Sequence, residues 1–357
     1  MKAVFTSVIA LLLASPVHAT EFAPYAGEAV KITNADLPLK VEQYKDSAFY
    51  TEEYSFTIHP TKRPAFTIRI GATNMGRGKG TAFVHGTIVK AGKGRKAKMA
   101  RYKIEEIASA GAWKQRAEPF SLEVGKVRLG GTAARFDLHI DTDEISADLE
   151  VRPLVPAWRP GTGRVEMAKG EGFEVIVWAR AEVYGTLKMK SETKKVVTAV
   201  KGYAVVTRIL NTASPGLQPR RWINFKSVKK DHTVLFQAFL PPESKGEALH
   251  GWTLVADNEK ILAATHALEI KLADFREDHG TKIPWVVTWQ GKGVRGGVMA
   301  EGLRSVVDEL AKLPALERAV VGRFIQPMTW YLRAKYEVEA AGTKRSGNGN
   351  LIVNKIK

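Results

Sequence analysis

The sequence predicts an all-β protein, two antiparallel barrels or sandwiches with one helical stretch near the C-terminus. Period-two alternation is the first observation behind that expectation. Ile145, Ala147, Leu149 and Val151 alternate with Ser146, Asp148 and Glu150. Trp330, Leu332, Ala334, Tyr336, Val338 and Ala340 alternate with Tyr331, Arg333, Lys335, Glu337 and Glu339. Such a pattern puts one face of a strand in a core and the other in water. The second observation is punctuation by Gly and Pro at 76–80, 130–131, 159–163 and 215–219, which marks turns between strands. The third is that helical spacing occurs once, which excludes a series of βαβ units.

The elements follow in chain order. Lys2, an apolar run from Ala3 to Val17, and Val17-His18-Ala19 open the chain. A charged start, a short apolar core and a small-residue cleavage site form an export signal. Residues 1–19 are therefore expected to be removed after Ala19, leaving Thr20 as the mature N-terminus. The run is too short for a stable membrane anchor, and no Cys follows for lipid attachment. The expected location is periplasmic or secreted. The remaining 338 residues (357 minus 19) suffice for two domains, each with its own core. Strands are expected at 65–70, 80–89, 136–140, 173–189, 196–210, 222–228, 233–240 and 284–290. Leu262, Ala264, His266, Leu268, Ile270 and Leu272 read as one further strand face, with His266 turned inward. Leu303, Val306, Val307, Leu310 and Leu313 follow i, i+3, i+4 spacing, which resumes after Pro314 at Leu316, Ala319, Val320 and Phe324. That spacing predicts a helix over about 301–325 covering one end of a barrel. Val84-His85-Gly86-Thr87-Ile88 echoes Val183-Tyr184-Gly185-Thr186-Leu187, a faint sign of duplication. The uncharged, turn-rich stretch 213–219 divides the chain into a first barrel at 20–212 and a second at 213–357.

Composition excludes several chemistries. Cysteine is absent, so disulfides, a thiol nucleophile and zinc–thiolate or iron–sulfur sites are impossible. The net charge is +17, or +16 once Lys2 is lost. Between Glu53 and Glu105 there are twelve Lys or Arg and no acidic residue; from Lys188 to Lys230 there are eleven against Glu192 alone. This asymmetry attracts polyanions. Outside the cytoplasm these are anionic membrane surfaces and other envelope polyanions, and export leaves no role for nucleic acid.

Catalytic motifs are missing. There is no H-E-x-x-H, G-x-S-x-G or P-loop. Gly291-Lys292-Gly293-Val294-Arg295-Gly296 matches a dinucleotide-binding glycine pattern. However, the preceding strand is interrupted by Thr288 and Gln290, and too few residues follow for a doubly wound sheet. A glycine-rich turn between strands is the expected reading, and no cofactor is predicted. Asp141, Asp143 and Glu144 lack the glycine and distal Glu of a calcium hand, so a solvated acidic edge and no metal are expected. His139 should face solvent and His232 should sit in a turn. The aromatics are the richer signal: most of the Trp lie in the second half, and large inward rings either fill a barrel or line an apolar pocket. The predicted ligand-binding residues are Trp178, Tyr184, Tyr203, Trp222, Phe225, Trp252, His266, Trp285 and Trp289.

A family resemblance enters through the order of several short motifs. Pro156-Ala157-Trp158-Arg159-Pro160-Gly161 leads into Gly172-Phe173, Tyr184-Gly185-Thr186-Leu187, Val200-Lys201-Gly202-Tyr203 and Arg220-Arg221-Trp222-Ile223-Asn224-Phe225. Leu313-Pro314 and Gln326-Pro327-Met328-Thr329-Trp330-Tyr331 follow. This order resembles the lipocalin-like survival-factor family, related to the carotenoid 1,2-hydratases (hydroxyneurosporene synthases) and to fungal Diels–Alderase-type proteins. The resemblance implies two lipocalin-like β-barrels and a hydrophobic or lipid ligand, with a role in surviving oxidative stress. In the related hydratases an Asp-His dyad follows the Gly-Tyr pair; here Gly202-Tyr203 is followed by Ala204-Val205-Val206. Protonating an unactivated double bond needs a positioned acid, so the expectation moves toward an exported carrier. A hydratase, cyclase or isomerase of a hydrophobic polyene, and a solid-packed structural envelope protein, are the rivals.

Overall fold

In the computed structural model the chain forms two curled antiparallel sheets, as the all-β expectation requires. The structure describes residues 25, 31–75, 79–90, 100–190, 197–242, 248–312 and 327–356; the expected export signal lies outside them. The first sheet contains β1 (Thr51–Pro60), β2 (Phe66–Thr73), β3 (Thr81–Lys90), β4 (Ala100–Ala108), β5 (Lys114–Arg116) and β6 (Phe120–Val124). It continues with β7 (Val127–Thr132), β8 (Arg135–Asp141), β9 (Ile145–Pro153), β10 (Arg164–Ala168), β11 (Glu171–Met189) and β12 (Val197–Asn211). The second contains β13 (Arg221–Val228), β14 (His232–Leu240), β15 (His250–Asp257), β16 (Ile261–Thr265), β17 (Leu268–Asp278), β18 (Thr281–Gly291), β19 (Val294–Asp308), β20 (Met328–Ala340) and β21 (Thr343–Lys355).

Both sheets are wired alike. Their orders are β4-β3-β2-β1-β12-β11-β9-β8-β7-β6-β5, with β10 on β11, and β16-β15-β14-β13-β21-β20-β19-β18-β17. In each, the first strand pairs with the last, four strands run out to one edge, and the chain then jumps to the other edge. The sheets curl, so β4 approaches β6 and β9 across the first interior and β15 approaches β17 across the second. The duplication is one of topology. The sequence echo at 84–88 and 183–187 does not report it, because both segments lie in the first sheet, on the non-equivalent β3 and β11.

Alternation builds each interior. Tyr54, Phe56 and Ile58 of β1 and the four residues read from β9 are buried in the first core, around Trp178 and Phe136. The six alternating residues of β20 are buried in the second, with Phe225, Phe236 and Trp289. The segment 31–50 closes on the first core through Leu37, Leu39 and Tyr50. Beneath it lies a buried ion pair between Arg208 and Glu52. Glu52 also accepts from Tyr50 Oη at 2.8 Å and Lys40 N at 2.6 Å, the pairing that a buried carboxylate requires.

Three expectations are corrected. The helix over about 301–325 is not formed at 301–308, which belong to β19; Glu309–Lys312 is a 3-10 turn, and 313–326 lie outside the described residues. A bulge explains the misleading spacing. Leu303 pairs with Leu332 and Val306 with Trp330, so an inserted residue turns a two-residue repeat into a three-residue one. Second, Leu262 to Leu272 is two strands: β16 and β17 are the opposite edges of the second sheet, and His266 sits in the bend that crosses the barrel's open side. Third, His232 is not a free turn residue but opens β14, 5% exposed, with Nε2 bonded to Tyr336 Oη. The glycine pattern at 291–296 is, as expected, a hairpin: Gly291 pairs with Val294 across Lys292-Gly293, and Gly293 has φ 72°. His139 is exposed and bonded to Asp148.

Candidate functional site

Three surroundings receive the nine predicted residues. Trp178 is fully buried in the first core, its indole N–H donating to Ala133 O at 3.0 Å. Phe225 and Trp289 are buried in the second core, Trp289 stacked on Phe236 at 4.4 Å. Trp285 packs against that core from its rim, with the Arg276 guanidinium 3.4 Å above the ring. Trp222, Trp252 and His266 lie in a seam between the sheets, and Tyr203 and Tyr184 flank it on the first sheet. The prediction therefore mixed packing residues with residues of a shared surface.

The seam is built by the strand faces that turn away from each core. On β13, Trp222, Asn224 and Lys226 alternate with Ile223 and Phe225. Register aligns Trp222 with Phe239, Asn224 with Gln237 and Lys226 with Leu235 on β14. Gln237 and Leu235 then align with Trp252 and Leu254 on β15. Against these rows the first sheet sets Phe173, Val175, Val177 and Ala179 of β11 and Val205 of β12. The apolar end is aromatic. Phe173 stands 4.9 Å from Trp222 and 5.1 Å from Phe239, and Trp158 stands 5.6 Å from Trp252. Trp158 and Trp222 remain half-buried, so apolar surface is still open here. Tyr25 inserts beside Phe173, Phe239 and His266 and is 2% exposed. Its hydroxyl has no hydrogen-bond partner among the described residues, and the neighbouring Trp252 indole N–H donates to Gln237 Oε1 at 2.8 Å. Burial pushes this phenol above its ordinary range.

The seam's other end is polar and cationic. Gln237 Nε2 donates to Asn224 Oδ1 at 2.9 Å, and Lys226 Nζ reaches across to Thr57 Oγ1 of β1 at 2.9 Å. Arg180, fully buried at a bulge in β11, bolts the sheets together. Its guanidinium donates to Asn258 Oδ1 at 2.7 and 2.9 Å and to the carbonyls of Lys229 and Lys230, and lies 3.6 Å above the Tyr203 ring. Burial lowers Lys226 to about 8. Burial, and then Lys226, Lys229 and Arg180, lower His59 to about 4. Burial also lowers His266.

Two cavities open elsewhere. One of about 1050 Å³ lies over β17–β21 and is walled by Lys271, Thr288, Arg295, Lys335, Glu337 and Ser346 among others. One of about 840 Å³ lies over β5–β9 and β11, walled by Arg128, Asp137, His139, Asp148, Arg152 and Tyr184 among others. Both mix charged and polar side chains with apolar ones: Trp289, Val298 and Tyr336 also line the first, and Phe120, Leu138 and Leu149 the second. Tyr184 donates to Glu182 at 2.6 Å there. Among the described residues no group of carboxylates and histidines is arranged for a metal. Asp141 and Asp143 pair instead with Lys190 and Lys126.

Sequence reasoning missed Arg180, Lys226, His59 and Tyr25. Arg180 had a legible signal: it interrupts the apolar run Val175 to Ala181, buried on both faces. Lys226 had one too, as it follows Trp222 and Asn224 at period two. Tyr25, isolated in sequence, had none.

No family model matches the chain, and no curated protein matches its sequence. Solved structures share its fold. An AttH-type protein from Nitrosomonas europaea is similar at 12% identity, over 93% of this chain and 98% of that one, with a TM-score of 0.56. Kievitone hydratase from Nectria haematococca is similar at 11% identity, over 94% and 98%, with a TM-score of 0.52. CghA, solved with Sch210972, is similar at 10% identity, over 87% and 89%, with a TM-score of 0.52. At these identities the likeness shows the lipocalin-like fold alone.

Proposed function

We propose that this protein is an exported binder of a hydrophobic small molecule or lipid, and that the ligand lies along the aromatic seam between the two sheets. The observation that carries the reading is the half-buried pair Trp158 and Trp222 beside Phe173, Phe239 and Trp252, apolar surface drawn from both sheets and left partly open. Burying apolar ligand surface there contributes about 25 cal/mol per Å². Trp178 and Trp289, by contrast, are buried and engaged in ring packing, with Phe136 and Phe236 respectively. The sequence signal at 1–19 supports action outside the cytoplasm, and the basic stretches support docking at an anionic membrane surface. A stress-survival role rests on the family resemblance.

The test is organic extraction of protein purified from its native compartment, with mass spectrometry, followed by titration with a fluorescent fatty acyl probe. A co-purifying lipophile, and probe binding weakened by Trp222→Ala but not by Trp289→Ala, support the reading. Protein that carries no lipophile and binds no acyl probe overturns it.

The names of kievitone hydratase and of CghA favour a second reading, catalysis on a hydrophobic substrate shaped by the seam. The acid for it would have to come from Tyr203 or His266. Turnover of a polyene that is abolished by Tyr203→Phe or His266→Ala establishes this reading; absence of turnover in the wild type removes it.

A further inference from the structure

The seam changes character along β13. Trp222 lies among rings, Asn224 is bonded to Gln237, and Lys226 reaches the opposite sheet. At about 3.4 Å per residue, Trp222 and Lys226 are separated by about 14 Å along the strand. An apolar body of that length, laid along the seam, would end at the ammonium.

The polar end is not satisfied by the described residues. An ammonium has three donors, and Lys226 Nζ makes one hydrogen bond among the described residues, to Thr57. Of its register neighbours, Leu235 on β14 offers no acceptor side chain, and Asn350 on β21 has its Oδ1 engaged by Arg304 Nη1 at 2.8 Å. His59 is on the same face of β1 as Thr57, two residues on, and its buried Nε2 has no hydrogen-bond partner among the described residues. The charges acting on that ring are Lys226, Lys229 and Arg180, all cationic. Arg180 is already committed to Asn258, two carbonyls and Tyr203. Buried polar groups are normally paired, and an ammonium turned into an interface without a counter-charge is costly. One anion between Lys226 and His59 would supply the absent acceptor and the absent charge together.

We infer that this end of the seam is an anion site, in which Lys226 and His59 receive the anionic head of an amphiphile whose apolar body lies against Trp222 and Phe239. The inference rests on the seam being the ligand site and adds the ligand's class: an aliphatic or aromatic body ending in a carboxylate or phosphate. Lys226 donates to the head as a point charge, and His59 donates through Nε2–H in its neutral form.

The experiment uses full-length protein at pH 7 and isothermal titration with dodecanoate, dodecyl phosphate, methyl dodecanoate and inorganic phosphate. Wild type is compared with Lys226→Met, Lys226→Arg and His59→Leu. In the wild type the two anionic amphiphiles are expected to bind about tenfold more tightly than the ester, the worth of one charged hydrogen bond. Lys226→Met erases that preference and leaves ester affinity within about twofold; Lys226→Arg retains it, and His59→Leu reduces it. Equal binding of ester and anions to the wild type, or equal weakening of all three in Lys226→Met, overturns the anion site and leaves the binder reading standing. Inorganic phosphate bound as tightly as dodecyl phosphate overturns the amphiphile and points to a free anion. If no amphiphile binds the wild type, the binder reading fails and takes the anion site with it.

Discussion

Replacing Lys226 by Met should stabilise the protein at neutral pH and lose that advantage in alkali. The ammonium sits half-buried in the seam with one hydrogen bond, and burial lowers its pKa from 10.5 to about 8. At about 1.4 kcal/mol per pKa unit, that fall corresponds to about 3.5 kcal/mol, and partial exposure with salt screening trims it to about 2 kcal/mol. The sign follows from proton counting. Below pH 8 both folded and unfolded chains hold the proton, and the folded state bears the full penalty. Between pH 8 and 10.5 the unfolded chain keeps a proton that the folded chain has released, so wild-type stability rises with pH. Methionine has no such dependence but forfeits the bond to Thr57, about 1 kcal/mol. The variant should therefore be about 1 kcal/mol more stable than wild type at pH 7 and about 1 kcal/mol less stable at pH 10.5. Urea titrations of ligand-free protein at both pH values, at fixed ionic strength, measure this. A difference that does not change with pH, or that changes in the opposite sense, refutes the picture of an uncompensated ammonium in the seam.

Four further predictions follow from other residues. His59, lowered from 6.5 to about 4, keeps its stabilising neutral form above pH 6.5 and loses that contribution as pH falls toward 4; His59→Gln should flatten the acid limb of a stability–pH curve, and an unchanged limb contradicts it. Glu52→Gln leaves the Arg208 guanidinium buried without its counter-charge and should cost about 3–5 kcal/mol by urea titration; a loss below about 1 kcal/mol argues against the buried pair. Arg180→Met strands Asn258 and two carbonyls at the join of the sheets; hydrogen exchange should quicken in β13–β15 well before β7–β9, and uniform exchange argues against its role as a bolt. Gly185→Ala would place a methyl 1.9 Å from Asp148 O, so it should destabilise by more than about 1 kcal/mol, whereas Gly170→Ala, with no atom within 4 Å but φ 79°, should cost less.

The one-sided strands were legible in the sequence. β9 and β20 have one face in a core and one in water, so period two named their buried residues correctly. The rule loses its power in β11 and β14, where the far face meets the other sheet and alternation no longer tells interior from seam. That is why Trp222 and Trp252 were grouped with Trp178, Phe225 and Trp289. β21 was missed because Gly347, Gly349 and its Lys, Arg and Asn residues carry little strand propensity; pairing with both β20 and β13 makes it a strand. The helical misreading at 303–308 came from a bulge that single-sequence periodicity cannot separate from a helical turn. Aromatic residue types pointed to the candidate site. Its cationic end was hidden because Lys226, His59 and Arg180 come from three strands distant in sequence.

The most direct test of the central claim is photo-crosslinking of purified full-length protein with a diazirine-bearing fatty acid, mapped by peptide mass spectrometry. A ligand in the seam predicts adducts on the peptides of β13–β15 and on β11, displaced by unlabelled dodecanoate. Adducts confined to interior strands such as β18 and β20, or adducts that unlabelled fatty acid does not displace, contradict it.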